Sequence, residues 1–128
     1  SLVSPPYLPY APALAHAGVD LSRLLLVRPQ RRIETFWAME QALHSGSCAA
    51  VLGWSDLADE GPLRRLQLAA AAGDAWTVLF RPSRLRALRS PAPLRILLAR
   101  DRPGGCLAVE VLKRRGGRPV MLRVDSSW

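Results

Sequence analysis

The chain has 128 residues, is 49% hydrophobic, and carries a formal net charge of +8 with two cysteines. This is the length of one domain, able to bury a core without disulfide or metal staples. The apolar content argues against disorder, and no apolar run reaches the ~18 residues that cross a bilayer. Ser1-Leu2-Val3-Ser4-Pro5-Pro6 has neither the basic start nor the apolar core of a signal peptide, so the expected compartment is the cytoplasm. The charge is uneven. Residues 1–80 are close to neutral, whereas residues 81–123 hold twelve Lys or Arg against Asp101 and Glu110. A basic half beside a neutral half suits a polyanion-facing surface, with nucleic acid first among the partners it suggests. A solvated cationic face in an arginine-rich composition is the plainer reading, since 17 of the 18 basic residues are Arg.

In chain order, Leu2-Val3-Ser4 reads as a strand end running into Pro5-Pro6, and Pro9 to Ala17 as a short helix stopped by Gly18. Leu24 to Val27 reads as a buried parallel strand closed by Pro29. Arg32 to Ser45 has helical spacing at Ile33, Phe36, Trp37 and Leu43, which places Trp37 on the core side, and Gly46 suits the helix end. Ala49 to Leu52 is a short apolar strand leading to Gly53-Trp54-Ser55. Asp59, Glu60 and Pro62 suit the first turn of a helix that runs through Leu63, Leu66, Leu68 and Ala69 to Gly73. Trp76 to Phe80 is the next strand, ended by Pro82.

This alternation predicts a parallel sheet with helical crossovers. Beyond residue 82 the pattern changes. Ser83 to Arg89 is a basic helix or a loop; Leu94 to Ala99, Cys106 to Leu112 and Val120 to Val124 are strands joined by turns at Pro103-Gly104-Gly105 and Arg114-Arg115-Gly116-Gly117. The expected fold is a single α/β domain, its parallel part about residues 1–82 and its basic antiparallel strand extension about residues 83–128.

Candidate sites are few. His16 and His44 have no partner at a ligand interval, Cys48 and Cys106 follow no metal spacing, and no nucleophile elbow is present, so no catalytic, metal or cofactor residue is assigned. Asp56 with Asp59 and Glu60 could mimic a metal cluster but reads more plainly as loop and helix-start charge, and Asp56, two positions beyond the strand tip, stays open as a shifted carboxylate. Trp54 stands at a strand's C-terminal tip, where α/β sheets place their ligand crevice. A P-loop ATPase needs a carboxylate at such a tip and a G-x-x-x-x-G-K-[ST] loop. Neither occurs, so Trp54 marks a degenerate nucleotide site and the expected role is binding, not catalysis. Arg81, Arg84, Arg86 and Arg89 follow the 76–80 strand; Lys113, Arg114, Arg115 and Arg118 form a second basic turn. Both groups are candidate contacts to DNA phosphates or to an acidic protein.

Together these segments resemble the RecA-like core. Ala17 to Leu25 is similar to the approach to an early RecA strand. Val109-Glu110-Val111-Leu112-Lys113-Arg114-Arg115 is similar to a later one, where Lys113 and Arg115 correspond to lysines near the interface nucleotide. The departure is Trp54 in place of the strand-tip acid. A fuller resemblance is to the ImuA family of RecA/SulA-like mutasome accessory proteins. It is carried by Leu2 to Leu14, Leu25 to Pro29, Glu40 to Leu43 with Ser45-Gly46, Leu63 to Ala70, Phe80-Arg81-Pro82, and the tail Glu110 to Pro119. That resemblance implies a non-catalytic adaptor of SOS-induced translesion synthesis. Its partners would be ImuB, RecA and, indirectly, an error-prone replicative-type polymerase, with DNA as a further contact and self-association left open. It also implies a core lacking an N-terminal region. The alternative is the SulA family of division inhibitors, which bind FtsZ and share the middle of the chain, including Gly53-Trp54 and Arg81-Pro82.

Overall fold

The structure, a computed structural model, describes residues 1–100 and 106–125. The expected turn at Pro103-Gly104-Gly105 and the terminal Trp128 lie outside the described residues. The chain divides into two compact units, Ser1–Ser90 and Pro91–Trp128.

The first unit is a four-stranded parallel sheet in the order β2-β1-β3-β4. Its strands are β1 (Leu2–Val3), β2 (Leu26–Val27), β3 (Ala50–Trp54) and β4 (Trp76–Phe80). Helices α1 (Ala11–His16), α2 (Glu34–His44) and α3 (Glu60–Ala72) fill the connections, with short 3₁₀ turns at Leu21–Arg23 and Ser83–Leu85. Pairing is in register across the sheet, with Val3 beside both Val27 and Gly53, and Val51 beside Thr77. The core is Val3 and Val51 from the sheet, Phe36, Met39 and Leu43 from α2, and Leu63, Leu66 and Ala69 from α3.

Period explains which side chains reach that core. In α2 the buried positions Thr35, Phe36, Met39 and Leu43 repeat at three and four residues. Trp37 lies about 100° around the helix from Phe36 and is 61% exposed. This corrects the expectation that it joins the core. The strand expected over Leu24 to Val27 is also corrected. Only Leu26 and Val27 pair, β2 stands at the sheet's edge, and Leu25 and Leu26 are exposed. With a neighbour on one side only, an edge strand buries little beyond the residue that faces the helices, here Val27.

Two glycines are required by geometry. Gly46, just past α2, holds φ of 65°, the left-handed conformation that ends helices at low cost. Gly53 lies where the Met39 side chain of α2 packs on β3, and a Cβ there would collide with the Met39 sulfur. Helix α3 opens as its sequence suggests. The Asp59 carboxylate accepts a hydrogen bond from the Gly61 amide at 3.0 Å, Glu60 sits in the first turn, and Pro62 is buried. Asp59→Ala should therefore lower stability by about 1 kcal/mol, read as a lower denaturation midpoint at unchanged slope.

The second unit is a three-stranded antiparallel sheet in the order β5-β6-β7, formed by Leu94–Arg100, Cys106–Arg114 and Val120–Asp125. These strands make a sheet of their own, so the fold is mixed α/β with a parallel sheet and a separate antiparallel one. Three cross-strand rows share one face: Ile96–Val111–Val120, Leu98–Val109–Leu122 and Arg100–Leu107–Val124. The row Leu97–Glu110–Met121 lies on the other face. A register shift between Arg95 and Ile96 marks a bulge, beside which Arg95 stands opposite Lys113. No helix of the described residues is long and apolar enough to cross a membrane.

Candidate functional site

The strand order turns back at β1, with β2 on one side and β3 and β4 on the other. Outside the carboxyl ends of the strands, at such a reversal, α/β sheets leave a crevice. Here it has a volume of about 590 Å³. Ser4 follows β1, Pro29 to Arg32 follow β2, Ser55 and Asp56 follow β3, and Arg81 and Pro82 follow β4.

One wall is aromatic. Trp54 and Phe80 end neighbouring strands in register and stack with centroids 4.8 Å apart and planes 12° from parallel. Another part of the lining is polar. The Ser4 and Thr35 hydroxyls lie 2.7 Å apart, and Thr35 is buried at the start of α2. Ser4 holds φ of 55°, uncommon for a residue other than glycine. It is kept there by the hydroxyl pair and by its amide, which donates to the Val27 carbonyl at 2.9 Å.

Three arginines, Arg31, Arg32 and Arg81, face one carboxylate in the lining, Asp56. Arg32 donates to Asp56 at 2.6 Å, and Arg84 stands 3.7 Å from the same oxygen. Arg81 donates to the Leu57 carbonyl at 2.7 Å, tying the end of β4 to the loop after β3. Asp56 is thus neutralised from two sides, and the crevice rim is cationic. Among the described residues no group of three or more His, Cys, Asp or Glu side chains is placed to hold a metal.

The residues singled out from sequence divide between places. Trp54 is in the crevice wall, Arg81 lines the crevice, and Arg84 reaches its carboxylate. Arg86 and Arg89 lie on the exposed stretch after the Ser83–Leu85 turn, in which Leu85 points inward and Leu88 does not. Lys113 and Arg114 end β6, and Arg115 and Arg118 belong to the turn that follows, in the second unit. There the Arg114 side chain folds over Gly117, and its Nε donates to the Arg118 carbonyl at 2.9 Å. Sequence reasoning missed Arg31, Arg32, Ser4 and Thr35. The signal was available: Arg31 and Arg32 sit between the end of β2 and the start of α2, a position that faces the crevice in any parallel α/β sheet.

The family model described as cell division inhibitor SulA matches residues 10–77, which run from α1 into β4. SulA proteins of Yersinia enterocolitica, Yersinia pestis and Yersinia pseudotuberculosis are 35% identical to the chain over 69 residues. That match covers 54% of this chain and 41% of each relative, so the chain matches about two fifths of the length of these curated relatives. Arg31, Arg32, Thr35, Trp54 and Asp56 fall within the stretch matched by the family model; Ser4, Arg81 and the second unit fall outside it. The comparisons overturn the mutasome reading. The match is to division inhibitors, so the expected roles in translesion synthesis and the expected partners ImuB, RecA, the error-prone polymerase and DNA are withdrawn. The segments that carried the ImuA resemblance include the middle of the chain, where the SulA match lies, and the tail alone did not separate the two families.

Proposed function

The chain belongs to the SulA cell division inhibitor family, and from that premise we propose that it blocks bacterial division by binding a division protein, with FtsZ, the partner implied by the sequence resemblance, as the target. The family match over residues 10–77 carries this reading. The surface offered to the partner is the crevice at the carboxyl ends of β1 to β4, whose arginine rim suits an acidic loop and whose Trp54–Phe80 wall supplies apolar contact. Arg81 and Arg84 take part from the crevice side, while Arg86, Arg89 and the 113–118 cations add to the positive charge that attracts an acidic partner.

The action is binding rather than catalysis. The tip of β3 carries Trp54 packed flat on Phe80, and the nearby carboxylate, Asp56, is engaged by Arg32 and Arg84. A RecA-like wiring of the first unit, the antiparallel strands as its extension within one domain, and a cytoplasmic setting belong to the same proposal. The parallel order with helical crossovers supports the first of these.

Expressing the 128-residue chain in dividing bacteria tests the function. Long undivided filaments are the expected result. Cells of normal length, with the chain folded and abundant, would refute it.

A further inference from the structure

At about 590 Å³ the crevice of the first unit has the size of a small-molecule site, for which about 300–1,000 Å³ is common. Its lining sets Arg31, Arg32 and Arg81 against Asp56, an excess of two positive charges. Asp56 is already engaged by Arg32 and Arg84. Arg31 is exposed, and among the described residues its guanidinium makes no hydrogen bond or ion pair. Glu34, close to it in sequence, accepts from the Arg31 amide at 3.2 Å and does not line the crevice.

Further donors converge beside that arginine. Helix α2 starts there, and no side chain at its N-cap, Ile33, caps it, so its positive end stays open to an anion. Thr35 is buried, and its hydroxyl shares one hydrogen bond with that of Ser4. Two hydroxyls carry two protons. One lies between the oxygens; among the described residues the other has no acceptor, and both side chains line the crevice.

The excess of two charges selects the ligand. A phosphate monoester carries close to two negative charges at neutral pH and three acceptor oxygens, which guanidinium forks and hydroxyls suit. A carboxylate brings half that charge. The Trp54–Phe80 stack supplies an apolar wall for the rest of the ligand. We infer that the crevice binds a small aromatic phosphate monoester, its phosphate beside Arg31, Thr35 and the start of α2 and its ring against Trp54 and Phe80. Because the same crevice is proposed to meet the division partner, a bound phosphate competes with that partner, a consequence that alone rests on the division-inhibitor reading.

Isothermal titration calorimetry of the whole chain with phenyl phosphate tests the inference. Saturable binding at one site is expected, weakening with salt. Inorganic phosphate, which lacks the ring, should bind about fivefold or more weakly, and benzoate, which has the ring and half the charge, about tenfold or more weakly. Arg31→Ala should weaken phenyl phosphate about tenfold through the lost charge-assisted hydrogen bond, and the exposed position of Arg31 leaves folding intact. Arg64→Ala, an equal change of charge on an exposed position of α3 outside the lining, should leave the affinity unchanged. The titration contains no FtsZ, so its failure and the failure of the division reading are separate results. No saturable binding, equal affinity for benzoate or for inorganic phosphate, or equal losses from Arg31→Ala and Arg64→Ala would overturn the inference.

Discussion

Gly53→Ala should destabilise the protein by about 1–3 kcal/mol, although it adds a single methyl group. The added carbon would overlap the Met39 sulfur and lie 2.8 Å from its terminal methyl. Met39 is fully buried between α2 and the sheet, so its side chain cannot swing into solvent. Either α2 moves away, opening gaps around Phe36 and Leu43, or Met39 takes a strained rotamer. The coupling can be measured. Met39→Ala alone should cost about 2–5 kcal/mol by leaving a cavity. In the double variant the new methyl occupies part of that space, so the combined loss should fall short of the sum by about 1 kcal/mol or more. Denaturant unfolding of the four proteins closes the cycle, and strict additivity would show that Gly53 and Met39 do not compete for the same volume.

Reversing the crevice charge should have the largest functional effect. Arg31→Glu with Arg32→Glu turns a rim of three arginines and one carboxylate into an acidic one. If the partner presents an acidic loop there, like charges then oppose docking, and inhibition should weaken about tenfold or more. Stability should change little, because Arg32 is exposed in its pair with Asp56 and such pairs are worth about 0–1 kcal/mol. The matching control lies in the second unit. Arg115→Glu with Arg118→Glu alters the net charge equally but leaves the crevice intact, so inhibition should persist at moderate salt. Equal losses from both pairs would mean that net charge, and not the crevice, governs the contact. The comparison is read as the concentration of each variant that halves FtsZ polymerisation.

Much of the fold was legible because local signals agreed. The Trp76 to Phe80 strand lies where its apolar run and Pro82 place it, and Asp59, Glu60 and Pro62 start α3 as their chemistry suggests. Trp37 was misplaced because an aromatic residue beside a helical stripe adds apolar content without sharing the stripe's angle. Leu24 and Leu25 read as strand because hydrophobicity does not reveal which strand will stand at a sheet's edge. The crevice was half legible. Trp54 at a strand tip announced it, but its other parts come from the segments after all four strands, and the Ser4–Thr35 contact joins residues 31 positions apart. Spacing along the chain carries no record of such a contact. The partner was the least legible part, since clustered arginines suit a nucleic acid and an acidic protein equally well. Here that ambiguity leaned toward the wrong family.

Adding the purified 128-residue chain to purified FtsZ and following polymer by sedimentation tests the central claim most directly. The account predicts polymer that falls as the chain is titrated in, with the Arg31→Glu, Arg32→Glu variant displaced to higher concentration. Undiminished polymer at a large excess of folded chain would contradict it.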